Sequence, residues 1–85
     1  MSLLSSNDFK ALGDALRKHR YITLERTLGR VRVEARTVAL PLSWEKEFGI
    51  QMRVEYLGFI WLQTFDNVDE ARRMEKEVLN EIHRL

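Results

Sequence analysis

The sequence predicts an α+β fold: an N-terminal helix, a three- or four-stranded antiparallel sheet made of two hairpins, and a C-terminal amphipathic helix packed on one sheet face. Three observations lead to it. Apolar residues recur at three- and four-residue spacing in the first and last segments, as on one face of a helix. Between them they alternate with period two, as in half-buried strands. Two Leu-Gly dipeptides, Leu28-Gly29 and Leu57-Gly58, stand where an antiparallel chain would reverse. With 85 residues, 45% hydrophobic and 32% charged, the chain has a globular composition and room for one domain, residues 1–85, with a thin core.

The first helix is expected from Leu4 to about Arg17. Ser5 and Asp8 form a Ser-x-x-Asp capping box, with Leu4 and Phe9 at the staple positions around it. Phe9, Leu12 and Leu16 share one face, and Gly13 either permits close packing or weakens the helix. Arg20–Leu28 alternates as a first strand, with Ile22 and Leu24 opposed to Tyr21, Thr23, Glu25 and Thr27. In the return strand Val31, Val33 and Ala35 face one way, and Arg30, Arg32, Glu34 and Arg36 the other. Near Arg36-Thr37 the phase slips toward Val38, Leu40 and Leu42, which suggests a bulge or a strand end. Pro41 belongs at an edge or exit.

Ser43 to Gly49 has the form of a short helical turn with a serine cap and a glycine stop, Trp44 and Phe48 covering one end of the sheet. Ile50, Met52, Val54 and Tyr56 then alternate with Gln51, Arg53 and Glu55 in a third strand. Phe59–Phe65, the fourth, is apolar on both sides, as expected of a central strand or one with a partner on its second face. Asp66 or Asn67 caps the last helix, Asn67 forming a box with Glu70. Val68, Ala71, Met74, Val78, Leu79, Ile82 and Leu85 make its apolar stripe, interrupted only by Glu75.

Several function classes find no support in these residues. His19 and His83 lack ligand-spaced companions, and cysteine is absent, so neither a metal site nor a cysteine nucleophile is expected. No glycine-rich phosphate loop or nucleophile elbow is present, and the expectation is a non-enzyme with no cofactor and no small-molecule substrate. The longest strongly apolar run, Phe59 to Leu62, is far below the ~20 residues of a bilayer span, and the first residues do not have the form of a signal peptide. The expected location is cytoplasmic, without a membrane partner.

Charge is unevenly distributed although the net value is only +1: residues 1–42 carry eight Lys/Arg against four Asp/Glu, and residues 43–85 six against nine. Ten of the fourteen bases are arginine, whose planar fork suits phosphates and carboxylates. If Val31, Val33, Ala35, Ile50, Met52, Val54, Ile60 and Leu62 pack on the last helix, the reverse face carries Arg30, Arg32, Arg36, Arg53, Gln51, Gln63 and Trp61. Arginine forks and a stacking tryptophan on a twisted sheet are a chemistry for gripping duplex DNA. The competing reading is an ordinary solvated face, with Glu34 and Glu55 pairing with the arginines and the first helix covering Trp61.

Residues 60–72, Ile-Trp-Leu-Gln-Thr-Phe-Asp-Asn-Val-Asp-Glu-Ala-Arg, resemble the last-strand-to-helix junction of two sheet-reading modules. These are the plant ethylene-response-factor type of DNA-binding domain and the arm-site-binding domain of phage integrases. The resemblance implies that Trp61 faces DNA, that Leu62 and Phe65 anchor the core, and that Ala71 packs helix on sheet. Gln63 stands where the family pattern has glycine. Two partner classes follow. One is duplex DNA, read by Arg30, Arg32, Arg36, Arg53 and Trp61, as in a DNA-binding accessory or regulatory protein. The other is a protein, as in an adaptor, an inhibitor or a subunit of an assembly, with the fourth strand, Trp44, Phe48 and Phe59 as the contact. A homodimer would add the burial that a thin core lacks.

Overall fold

A computed structural model describes residues 1–40 and 47–85. Six elements follow in chain order: α1 (Ser6–Arg17), β1 (Thr23–Leu28), β2 (Val31–Leu40), β3 (Glu47–Tyr56), β4 (Phe59–Phe65) and α2 (Val68–His83). The strands form one antiparallel sheet in the order β1-β2-β3-β4, and both helices lie on the same face of it. This is the α+β architecture expected from the sequence, with four strands.

Local chemistry sets the ends of α1. Ser5 Oγ accepts from the Asp8 N–H (3.0 Å) while an Asp8 carboxylate oxygen accepts from the Ser5 N–H (2.9 Å), a complete capping box. Leu4 and Phe9, the staple pair, are both buried. At the other end His19 takes a left-handed backbone (φ 52°). Arg20 N–H donates to the Ala15 carbonyl and His19 N–H to that of Leu16, a Schellman closure with histidine in the usual glycine position. α2 starts at Asn67, whose side chain accepts from the Glu70 N–H (2.8 Å).

Two-residue turns set the register of both hairpins. Gly29-Arg30 joins the pair Leu28–Val31, and Leu57-Gly58 joins Tyr56–Phe59. Positive φ at Gly29 alone fits a type II′ turn. Positive φ at both Leu57 (48°) and Gly58 (85°) fits type I′. Arg30 therefore sits in a turn and not on the strand face assigned to it from the sequence.

Three further expectations are corrected. The β2–β3 ladder runs without a bulge from Val31–Tyr56 to Leu40–Glu47. The inward position after Ala35 is held by Thr37, buried because its hydroxyl accepts from the Ile22 N–H (2.9 Å) and donates to the Arg20 carbonyl. A satisfied threonine thus replaces the apolar residue the alternation called for. Glu47, Phe48 and Gly49 belong to β3 and not to a helical turn; the part of that turn at Ser43–Lys46, and Pro41 with Leu42, lie outside the described residues. Finally, β4 is an edge strand, not a central one.

The core is a single layer between sheet and helices: Leu4, Phe9 and Leu12 from the first segment, Val33, Ala35, Ile50, Met52, Val54 and Phe65 from the sheet, and Ala71 and Leu79 from α2. The N-terminal segment runs antiparallel to α2. Gly13 lies beside Val68, the Arg72 guanidinium covers the Phe9 ring at 5.3 Å, and Leu3 and Leu4 reach Glu75. Glu75 is fully buried in the apolar stripe because its carboxylate accepts from the N–H groups of Leu3 (3.1 Å) and Leu4 (3.0 Å) and from the Ser2 hydroxyl.

Candidate interaction surface

Antiparallel pairing puts directly opposed residues on the same side of the sheet. Tyr56 pairs with Phe59 and Val54 with Trp61, so Phe59, Trp61, Gln63 and Phe65 face the helices, while Ile60, Leu62 and Thr64 face away. This reverses the β4 orientation read from the sequence. Trp61 is half-buried against the core and lines a groove with Met74 and Val78 of α2, whereas Ile60 and Leu62 lie on the open face at 56% and 55% exposure. Of the positions the family resemblance implied, Phe65 and Ala71 are buried as core residues, and Trp61 and Leu62 have exchanged sides.

The open face brings together Arg32, Arg36 and Arg53 of the five proposed DNA contacts, while Arg30 sits in the β1–β2 turn and Trp61 on the helix side. Each of the three already has a partner. Arg32 pairs with Glu25 (2.8 Å), Arg53 with Glu55 (2.7 Å), and the Arg36 Nε–H donates to Gln51 (2.7 Å). Glu25, by hydrogen bond and charge, raises the Arg32 guanidinium above its ordinary value. With Glu34 on the same side, three arginines meet three glutamates, Glu25, Glu34 and Glu55, so this part of the face carries no net charge. Such an arrangement offers a phosphate backbone little attraction.

The two sheet edges differ sharply. β1 presents Thr23, Glu25 and Thr27 outward, and it turns Arg26 toward the helices, where the guanidinium meets Asp8 (2.8 Å). Inward-pointing charge of this kind discourages strand addition. β4, Phe-Ile-Trp-Leu-Gln-Thr-Phe, has no charge, no proline and no bulge. Phe59 is 77% exposed, and beside the strand lies an apolar groove of about 400 Å³ between β4 and the C-terminal half of α2. Its walls are Tyr56, Phe59, Trp61, Met74, Val78, Ile82 and Leu85, with Glu77 and Glu81 at the rim. The clue was present in the sequence as the doubly apolar strand; the groove needed the register.

A second hollow, of about 690 Å³, lies at the opposite end, between the C-terminal half of α1, Phe48 and the cap of α2. Phe48 stacks on His19 there (centroids 4.9 Å) and packs against Tyr21 (5.0 Å). Among the described residues no group of three or more His, Cys, Asp or Glu side chains is placed to hold a metal, and no helix is long and apolar enough to cross a membrane. Comparison with protein-family models, curated proteins and solved structures yields no match to this chain.

Proposed function

We propose that the protein is a small non-enzymatic interaction module whose contact element is the β4 edge. One observation carries this reading: β4 is an edge strand with no charge, proline or bulge, while β1, the other edge among the described residues, carries Glu25 and the inward-turned Arg26. Its free N–H and C=O groups offer main-chain hydrogen bonds to an added strand, and Ile60, Leu62 and the flanking groove offer apolar pockets on the two faces. The duplex-DNA alternative loses support with the neutral pairing of Arg32, Arg36 and Arg53 and with Trp61 on the other side.

The test compares protein association and duplex binding in the same variants. Leu62→Lys, at an exposed position, should abolish association with protein and leave the fold intact by circular dichroism. Arg32→Ala and Arg53→Ala should leave association unchanged. A DNA affinity that falls linearly with log salt, with a slope reduced by about one in Arg32→Ala, would establish the nucleic-acid reading instead.

A further inference from the structure

We propose that the partner of β4 is a second copy of this chain, paired antiparallel about a two-fold axis at Leu62, so that two sheets join into one of eight strands. The inference rests on the reading of β4 as the contact strand and goes on to name its occupant.

Hydrogen-bonding direction gives the register. In a two-residue turn the closing pair, Tyr56–Phe59, is hydrogen-bonded, and along an antiparallel ladder such pairs alternate with non-bonded ones. Phe59, Trp61, Gln63 and Phe65 thus bond to β3, and Ile60, Leu62 and Thr64 turn their N–H and C=O groups to the free edge. Centring a two-fold on Leu62 sets Leu62 opposite Leu62 of the second copy and Ile60 opposite its Thr64. Every edge-directed group then finds a partner, and the strand pairs along its whole length with no overhang. An isologous contact also sets any charge close to the axis near its own image. A strand with no charged residue avoids that repulsion, which β1, with Glu25 and Arg26, would not.

The helices select self-pairing over an isolated added strand. α2 lies over β3 and β4, on the side of the sheet opposite the open face. Strands are spaced about 4.8 Å apart, so an axis midway between the two β4 strands makes the two α2 helices neighbours on one side of the joined sheet. The same operation that completes the edge therefore closes the groove, setting Met74, Val78 and Trp61 of one copy against those of the other. At its rim Glu77 and Glu81 are already paired with Arg73 (3.3 Å) and Arg84 (2.7 Å), so no unneutralised acid is carried inward.

The chain has no cysteine, so single substitutions report on proximity. Under mild oxidation Leu62→Cys should link to itself, because hydrogen-bonded pairs place Cα atoms about 5.5 Å apart, within disulfide reach. Ile60→Cys and Thr64→Cys should not link alone, and should link when mixed. In sedimentation equilibrium the wild type should be dimeric, and Leu62→Lys should raise the dimer dissociation constant at least about 100-fold by placing like charges on the axis. A dimer that persists in Leu62→Lys, or in which Leu62→Cys fails to link, would overturn the β4 register. A wild-type chain that stays monomeric at all concentrations would overturn self-pairing. If that monomer still binds another protein through Leu62 the interaction reading survives, and if Leu62→Lys changes no association both readings fall.

Discussion

Leu57 is one of two non-glycine residues with a left-handed backbone among the described residues. A type I′ turn requires positive φ at both central residues, and Leu57 occupies the first of them at 48°, with its side chain exposed. A branched apolar residue there loses roughly 1–2 kcal/mol relative to its preferred backbone, a penalty that asparagine largely avoids. Leu57→Asn should accordingly stabilise the fold by about 1 kcal/mol, read as a higher denaturant midpoint with an unchanged slope. An unchanged or lower midpoint would mean that Leu57 makes a contact whose value equals or exceeds the strain. Gly49 is constrained by space instead: a β-carbon there would meet the Phe65 carbonyl at 2.7 Å and Leu40 at 2.8 Å. The sequence suggested a helix stop at Gly49, because a glycine after Trp44 and Phe48 fits that pattern too; the close approach of β4 and Leu40 depends on tertiary packing that local pattern does not encode.

Among the elements, those whose signal lies within one segment were legible. The capping box of α1, the Asn67 cap and the stripe of α2 from Val68 to Ile82 rest on neighbours three or four residues apart and occur as read; of the Asn67–Glu70 box only the Asn67 half forms, and Leu85 lies exposed beyond the helix. β4 was misassigned because its two faces are equally apolar, so alternation has no preferred phase. The turn length would have decided it: a two-residue Leu57-Gly58 loop pairs Tyr56 with Phe59 and fixes the side of every later residue. Glu75 was visible as the lone polar residue of the stripe, but its partners lie more than 70 positions away at Ser2, Leu3 and Leu4. Its role is to tie the first residues onto α2. Glu75→Met keeps the approximate shape but removes both acceptors, leaving the Leu3 and Leu4 N–H groups without their partner in the interior. The expected cost is about 1–3 kcal/mol in chemical denaturation, with faster exchange of the Leu3 and Leu4 amides. A loss of stability without change at those two amides would place the role of Glu75 elsewhere.

At the scale of the molecule, both edges of the sheet were beyond sequence reading, because strand order is a property of the whole chain. Arg26 shows the consequence. By period it falls on the core side of β1, and it is tolerated because its guanidinium reaches Asp8, the residue that also caps α1. One carboxylate thereby joins helix and protected edge. Burial would raise the Asp8 carboxyl, but the Ser5 N–H and the Arg26 guanidinium outweigh it and hold the group below its ordinary value of 3.8. The folded protein therefore binds this proton less tightly than the unfolded chain. The stabilisation from Asp8 is complete above the unfolded value, diminishes as pH falls below it, and is lost once pH passes through the lower folded value. Asp8→Asn removes the titration, and with it the charge opposite Arg26, which is itself 44% exposed and so partly screened. The variant should be less stable than the wild type by roughly 1 kcal/mol at neutral pH, and the gap should narrow as pH drops below about 4. Paired urea titrations from pH 7 to pH 2.5 measure it. A gap that stays constant across that range would show that neither the Ser5 cap nor the Arg26 pair favours the ionised Asp8 in the folded state, and would overturn this account of the acid limb.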